Sequence, residues 1–281
     1  MLLCYIDETT PGIHRYGLNL QTLYRDRADR RRFEHRWCDF AASDPDHADL
    51  FRRDDDMLIY PTESFLTRNV DTRPSVLLVL GNPASQSVRA GMCFAFERGS
   101  QYEHRFWRAL RSTGWLSFNE PCLVEPDVAA RNAQRRDQLL SGRYQSPFRL
   151  GIDVFFTFPS PASTPRWSGV SGLKTLFGSH AFRLIATAER ERLAQTIARF
   201  MMTPGAVVAF QRDAYEGLRA NAAPPYAAPI ARDGLLASPS TAGHPVPLFG
   251  APPTRLAHTR AFHQVLHTYA ASINRAPGVP A

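Results

Sequence analysis

Apolar residues form short continuous runs at several points along this chain. After its first residue, Ser75 to Leu80 is wholly apolar, which predicts a strand buried on both faces of a parallel sheet. Runs at Ile152 to Phe156 and Ala206 to Phe210 predict two more buried strands. The tetrapeptide Met57-Leu58-Ile59-Tyr60 predicts an added strand nearer the N-terminus. These runs favour a mostly parallel central sheet.

Segments with helical spacing separate the predicted strands. Ser100 and Glu103 have the spacing of a capping box, and the helix that they would open carries apolar residues on one face until Gly114. Further helices are predicted around residues 193–201, 213–218 and 262–273. This alternation predicts an α/β protein, built as a three-layer α/β/α sandwich around the sheet.

The chain divides by composition into two parts. Residues 1–73 are rich in charge and weakly periodic, and we interpret them as an N-terminal extension packed on the main domain, residues 74–281. The basic stretch 25–32 fits a helix that either faces solvent or contacts a DNA backbone. The loop-rich stretches 159–166 and 220–253 break the pattern, and the second is long enough to indicate a functional or disordered loop.

Overall composition is that of a globular protein, with 44% hydrophobic and 21% charged residues in 281. No apolar run approaches the ~18 residues that a membrane span needs. The start, MLLCYIDETT, lacks the basic and apolar regions of a signal peptide. We therefore expect a cytoplasmic protein without a membrane partner.

Metal binding is not predicted. The four cysteines are far apart and form no CxxC pair, which is typical of scattered reduced thiols; they are Cys4, Cys38, Cys93 and Cys122. His263 and His267 lie one helical turn apart but have no clear third ligand.

The charge balance is compatible with a nucleic-acid partner. The net charge is +7, and Lys174 is the only lysine among 33 basic residues. Arginine binds phosphate groups in a bidentate manner, which suits DNA. A genome rich in G and C, which favours arginine codons, explains the same composition equally well.

Two short motifs carry the candidate chemistry. Gly81-Asn82-Pro83-Ala84-Ser85 directly follows the first buried strand, and His244-Pro245-Val246-Pro247-Leu248 precedes the last predicted helix. Ligands of open α/β sheets bind at the carboxyl ends of strands, where Asn82, Thr157 and the His244 loop are all predicted to lie. A polar side chain at the end of a strand and a histidine on a nearby loop can together bind a nucleobase and a water molecule.

These motifs, in this order, resemble those of the uracil-DNA glycosylase superfamily. Gly81-Asn82-Pro83 is followed by Phe94-Ala95-Phe96 and Phe106-Trp107, in the style of the mismatch-specific branch. The strand–helix unit 204–218 and the His-Pro-Val-Pro sequence at 244–247 extend the resemblance. It implies a monomeric, monofunctional DNA glycosylase that flips a pyrimidine and hydrolyses its N-glycosidic bond without a cofactor, leaving an abasic site.

The resemblance also implies roles for single residues. Asn82 would position the attacking water, and His244 would donate to the base carbonyl and stabilise the charge of the leaving base. Phe96, or alternatively Phe94, would stack on the flipped base. The alternatives are an asparagine that only caps a turn and a loop histidine bonded to backbone.

Asp153 bears on the choice of base. It aligns with an asparagine that reads uracil in the family, and an ionised carboxylate only accepts hydrogen bonds. Such a group suits the amino group of cytosine and repels O4 of uracil. We therefore expect a modified cytosine as substrate, with uracil or a mispaired base as the alternative. A structural salt bridge of Asp153 is equally compatible with the sequence.

The remaining candidates would contact DNA. They are Ser85, Ser87, Arg89, Ser160 and Ser163 near the first site, with Leu248, Phe249 and Arg255 as a wedge and phosphate grip. The biological role would be DNA repair or defence against phage with modified DNA. A non-catalytic nucleic-acid-binding module and a nucleoside or nucleotide N-glycosidase stay open as alternatives.

Overall fold

The computed structural model describes most of the chain up to residue 250. The described residues are 1–96, 103–119, 127–162, 164–201, 205–221, 223, 225–226, 236–238 and 246–250.

The N-terminal segment folds into a four-stranded antiparallel sheet that the sequence did not predict as a sheet. Its strands are β1 (Leu3–Thr10), β2 (Ile13–Asn19), β3 (Arg52–Asp54) and β4 (Met57–Glu63), in the order β1-β2-β4-β3. Between β2 and β3 lie α1 (Leu20–Leu23), α2 (Arg27–Ala41) and α3 (His47–Leu50). Only the apolar start of β4 stands out as a strand in the sequence, because the other strands are largely polar.

The second sheet is mixed and has six strands. They are β5 (Phe65–Leu66), β6 (Ser75–Leu80), β7 (Arg149–Val154), β8 (Gly205–Ala209), β9 (Leu236–Ser238) and β10 (Leu248–Gly250), in the order β5-β7-β6-β8-β10-β9. The four inner strands are parallel to one another, and the edge strands β5 and β9 are antiparallel to their neighbours. The α/β class is thereby confirmed.

Helices follow the strands of this sheet. They are α4 (Ser85–Ala90), α5 (Arg105–Ser112), α6 (Val128–Ser141), α7 (Gly169–Phe177), α8 (Ser179–Phe200) and α9 (Arg212–Leu218). The predicted strand at 75–80 matches β6, whereas the second predicted strand is shifted and ends at Val154. Helix α5 begins at Arg105 with His104 as its cap, so its start differs from the predicted capping box. Ser100 and the predicted helix at 262–273 lie outside the described residues.

Both faces of the six-stranded sheet are buried. On β6, Leu77 and Val79 join an apolar cluster with α7, α8 and the N-terminal segment, while Val76 and Leu78 join another with α5 and α6. Alternate residues of a strand point to opposite faces, so a fully apolar strand is what two covered faces require. The N-terminal segment therefore contributes to both core clusters, to the second through Ile13 among others, besides supplying the edge strand β5.

Candidate functional site

A cavity of about 490 Å³ opens beyond the carboxyl ends of β6 and β8. The loop after β6 forms one wall, and Phe210 and Gln211 after β8 contribute to another. Polar and aromatic side chains that could bind a ligand or take part in a reaction line the cavity. They are Glu63, Asn82, Phe94, His104, Ser160 and Gln211. This is the position at which open α/β sheets bind ligands.

Gly81 makes room for one of these groups. A Cβ atom added at Gly81 would lie 1.6 Å from Oε1 of Gln211, so any larger residue would displace that side chain from the cavity wall. The turn itself is anchored by Phe156, whose backbone N–H donates to the Gly81 carbonyl at 2.8 Å. Sequence reasoning missed Gln211, because a single glutamine after a strand carries no pattern.

Asn82 is held in a defined orientation. Its amide nitrogen donates to the carbonyl oxygens of Pro83 (3.2 Å) and Phe158 (3.3 Å) and to Oγ of Ser160 (2.9 Å). Carbonyl oxygens only accept, so the nitrogen must face them. The amide oxygen is consequently the atom of Asn82 that is left to accept a hydrogen bond from a bound water or substrate.

The loop that carries Asn82 is clamped to the N-terminal segment. Oγ of Ser85 lies 3.0 Å from Nε2 of His47, and Nδ1 of His47 donates to the Phe40 carbonyl at 2.9 Å. Because that carbonyl cannot donate, Nε2 is the acceptor and Ser85 is the donor. The backbone N–H of Ser85 also donates to the Ser160 carbonyl at 2.9 Å. The N-terminal segment thus helps to position the motif.

Phe94 forms the aromatic wall of the cavity. Its ring stacks on His104 with centroids 4.6 Å apart and an interplanar angle of 14°. Its φ of 48° lies in the left-handed region, which is unfavourable for a residue with a large side chain. The indole N–H of Trp107 donates to the Phe94 carbonyl at 3.0 Å and holds this conformation. Strained backbone of this kind clusters at functional sites.

Phe96 is a core residue, which corrects the preference that motif order gave it. Its ring lies under two guanidinium groups, with Arg131 at 3.7 Å and Arg135 at 4.4 Å from the centroid. Its backbone N–H donates to the Asn132 side chain at 2.9 Å. It is buried and does not line the cavity, whereas Phe94 does. The two rings therefore have different environments, although they are only two residues apart.

Asp153 does not line the cavity either, which corrects its proposed role in reading the base. Its carboxylate accepts from Nη1 of Arg192 at 3.1 Å and from the backbone N–H of Val154 at 2.7 Å. Only 1% of its side chain is exposed. The carboxylate is therefore saturated by a structural ion pair, and the argument for cytosine that rested on it no longer stands.

The candidate DNA contacts near the motif have different environments. Ser87 and Ser160 line the cavity. Ser85 is fully buried and bonded to His47, so it is not available to DNA. Arg89 is exposed and forms an ion pair with Asp46, which partly neutralises it.

The proposed wedge is wrong. Leu248 and Phe249 are buried within β10, which pairs with β8 inside the sheet, so neither can fill a gap in DNA. The proline-rich sequence around Leu248 and Phe249 suggested a loop, but both side chains are apolar because they lie in a buried strand. His244, Ser163 and Arg255 lie outside the described residues.

Glu63 is a candidate that sequence reasoning missed. It is the last residue of β4, borders the cavity and is only 3% exposed. Its Oε2 has no hydrogen-bond partner among the described residues. Burial, with a smaller contribution from Asp153, raises the pKa of this carboxyl to about 8. The residue is remote from both motifs in sequence, and no periodic signal marks it.

Within the part of the chain that the structure describes, no three His, Cys, Asp or Glu side chains converge as a metal site would require. In the same part, none of the helices has the length and apolar character needed to cross a membrane.

Comparison with known proteins gives no assignment: no protein-family model matches this sequence, and no curated protein matches it.

Proposed function

We propose that this protein is a monofunctional DNA glycosylase that hydrolyses the N-glycosidic bond of a flipped pyrimidine, on a uracil-DNA-glycosylase-like fold. The observation that carries the proposal is the meeting, in one cavity, of an oriented Asn82 with the Phe94–His104 stack. The motif resemblance points to the same chemistry, since Asn82 and Phe94 belong to the motifs that carry it.

The chemistry assigns a separate task to each wall of the cavity. The Phe94 ring has His104 at 4.6 Å and Phe106 at 4.3 Å between centroids, so an extruded base stacks at this wall by taking the place of His104. The Asn82 oxygen accepts a hydrogen bond from a water and holds it against C1′ of the sugar. A neutral amide is a poor base, so its contribution is to position the water for a sugar that already has oxocarbenium character. The electron pair of the broken bond leaves with the base, and His244 stays the predicted donor to that base.

Size and charge support a nucleic-acid substrate. A cavity of about 490 Å³ is within the range of ligand sites that enclose a small molecule. A base inside a duplex cannot enter such a cavity without rotating out of the stack. The net charge of +7 favours binding to the phosphate backbone.

The test is strand cleavage, revealed by alkali, of labelled oligonucleotides. They carry uracil, mispaired thymine, hypoxanthine, 5-hydroxymethylcytosine or glucosylated hydroxymethylcytosine, in single and double strands. We expect cleavage at one pyrimidine or more. We expect Asn82→Ala to reduce the rate about 10²-fold, the size of effect found when one preorganised polar group is removed. Asn69→Ala, at an exposed asparagine outside the cavity, should cleave like the parent.

The outcome also separates the alternatives. DNA binding without cleavage of any substrate contradicts the proposal and favours a binding module. Hydrolysis of free nucleosides without cleavage of DNA contradicts it in favour of a nucleoside hydrolase. Among positive results, uracil indicates base-excision repair, and a hydroxymethylated cytosine indicates defence against phage with modified DNA.

A further inference from the structure

Glu63 is a buried acid that borders the candidate site from outside the motif-bearing domain. It comes from the sheet of the N-terminal segment, at the end of β4. Its Oε2 is shielded from solvent and has no hydrogen-bond partner among the described residues. A buried polar atom without a partner destabilises the fold, so a structural role alone leaves this arrangement unexplained. Glu63 nevertheless lines the cavity, so a rotation of its carboxyl group toward a bound ligand would give it the missing partner.

Burial, more than any neighbouring charge, raises the pKa of the Glu63 carboxyl and keeps it neutral. No ion pair joins it to any described arginine, and the charged neighbour that acts on it is another acid, Asp153, itself paired with Arg192. The Cys93 thiol nearby is buried, and burial raises its pKa, so it stays uncharged as well. His104 and Arg105 line the same cavity. At neutral pH the carboxyl therefore carries its proton for most of the time.

We propose that Glu63 is a further catalytic residue, which donates a proton to the departing base, and that the preferred base has the edge of cytosine. This inference rests on the proposed glycosylase function. It requires the neutral carboxylic acid and differs from the role of a general base, for which an ionised carboxylate is needed.

The preference follows from the basicity of the atom that receives the proton. A carboxylic acid has one donor and one acceptor side by side. Cytosine presents a ring nitrogen that accepts, N3, beside an amino group that donates. The acid O–H can pass its proton to N3, which is basic, while its carbonyl accepts from the amino group. Uracil presents N3–H and O4 to the same acid and can pair with it too, but O4 is much less basic than N3 of cytosine and accepts a hydrogen bond without full proton transfer.

The step balances as a hydrolysis. The bond between C1′ and N1 breaks and its electron pair passes to the base, whose N3 takes the Glu63 proton. The oxygen of the water forms the new bond to C1′. The water then releases one proton to solvent, and the Glu63 carboxylate regains one from solvent. No oxidant, reductant or metal is needed.

The experiment is single-turnover kinetics of the full chain and Glu63→Gln on cytosine-type and uracil oligonucleotides. Glutamine keeps one donor and one acceptor but transfers no proton. We expect an almost unchanged KM and a rate lowered about 10²-fold or more on the cytosine-type base, with a smaller loss on uracil. The parent rate should fall as pH rises through about 8, and the variant should lose that limb.

Controls make the result specific. Glu191→Gln, at an exposed position away from the cavity, should match the parent. Glu63→Asp retains an acid and should regain part of the rate, and thermal unfolding verifies that each variant is folded. A parental rate for Glu63→Gln, or a loss equal for both bases with an unchanged pH profile, overturns the role of Glu63 alone. A parent that cleaves no substrate overturns the glycosylase function, and this role with it.

Discussion

Two buried acids in this protein have opposite environments. Asp153 and Glu63 are almost equally hidden from solvent, with 1% and 3% exposure. Asp153 accepts hydrogen bonds from Arg192 and from backbone, whereas Oε2 of Glu63 has no described partner and the residue borders a cavity. Burial alone therefore does not distinguish a candidate functional acid from a structural one. A buried acid that has no partner and borders a cavity is the better candidate.

Asp153 belongs to a cluster that supports β7. Arg192 donates to Asp153 and, through Nε at 2.7 Å, to Glu189. Glu189 accepts from the backbone N–H of Thr157 at 2.6 Å. Arg192 pairs with Glu189 within α8 and with Asp153 in β7, and the second pair ties α8 to the end of the strand. Such a cluster is structural, and removal of one member leaves the others uncompensated.

The largest expected effect on stability is at Arg192. Arg192→Met leaves two buried acids without their cation, and we expect the free energy of unfolding to fall by about 3–5 kcal/mol. Urea denaturation measures it. Arg199→Met, on the exposed face of the same helix, is the matched control and should change stability by less than about 0.5 kcal/mol. A loss below about 1 kcal/mol at Arg192 would contradict the structural role.

Phe96 and Phe94 differ in the same way as the two acids, since one is buried in the core and the other lines the cavity. Phe96→Ala removes a buried ring from beneath two arginines, so we expect a loss of about 3 kcal/mol in the free energy of unfolding. Phe94→Ala removes a half-buried ring from the cavity wall, and we expect a smaller loss of stability with a larger loss of kcat/KM. Paired denaturation and cleavage assays check this order. A reversed order would reassign the stacking residue to Phe96.

Glu63→Gln should raise the free energy of unfolding, whereas the preceding variants lower it. The pKa of Glu63 is about 8 in the folded protein, above its value of 4.5 in the unfolded chain. Below pH 4.5 the carboxyl is protonated in both states, so its titration does not lower the free energy of unfolding. Between pH 4.5 and 8 the unfolded chain ionises first, which lowers the stability of the parent. We expect the variant to gain about 1–3 kcal/mol relative to the parent from pH 5 to pH 8. Denaturation at both pH values, with Glu191→Gln as control, measures it; no change with pH would refute a neutral Glu63.

The smallest expected effect is at the clamp between His47 and Ser85. Burial lowers the pKa of His47 in the folded state, so its contribution is present above about pH 6.5 and is lost as the pH falls and the unfolded chain binds a proton. His47→Gln should cost about 1 kcal/mol at pH 7 and less at pH 5. Exposed His35 gives the control, His35→Gln. An equal cost at both pH values would argue against this titration.

The chain's own pattern determined the elements whose signal is local. The apolar run at Ser75–Leu80 predicted its strand at the observed bounds, because a strand covered on both faces must be apolar throughout. The motif after it correctly placed Asn82 at the end of a strand, beside the cavity. The α/β class followed from the alternation of such segments.

Only the tertiary structure decided which side chains share the cavity. Glu63 and Gln211 reach it from elements far from Asn82 in the sequence, and Asp153 is removed from it by an ion pair with a helix 39 residues away. Apart from β4, whose apolar start was predicted, the N-terminal strands escaped prediction because they are largely polar and their buried and exposed residues do not alternate. Which face a residue occupies, and which partner satisfies it, depend on contacts between distant segments, and no local pattern encodes those contacts.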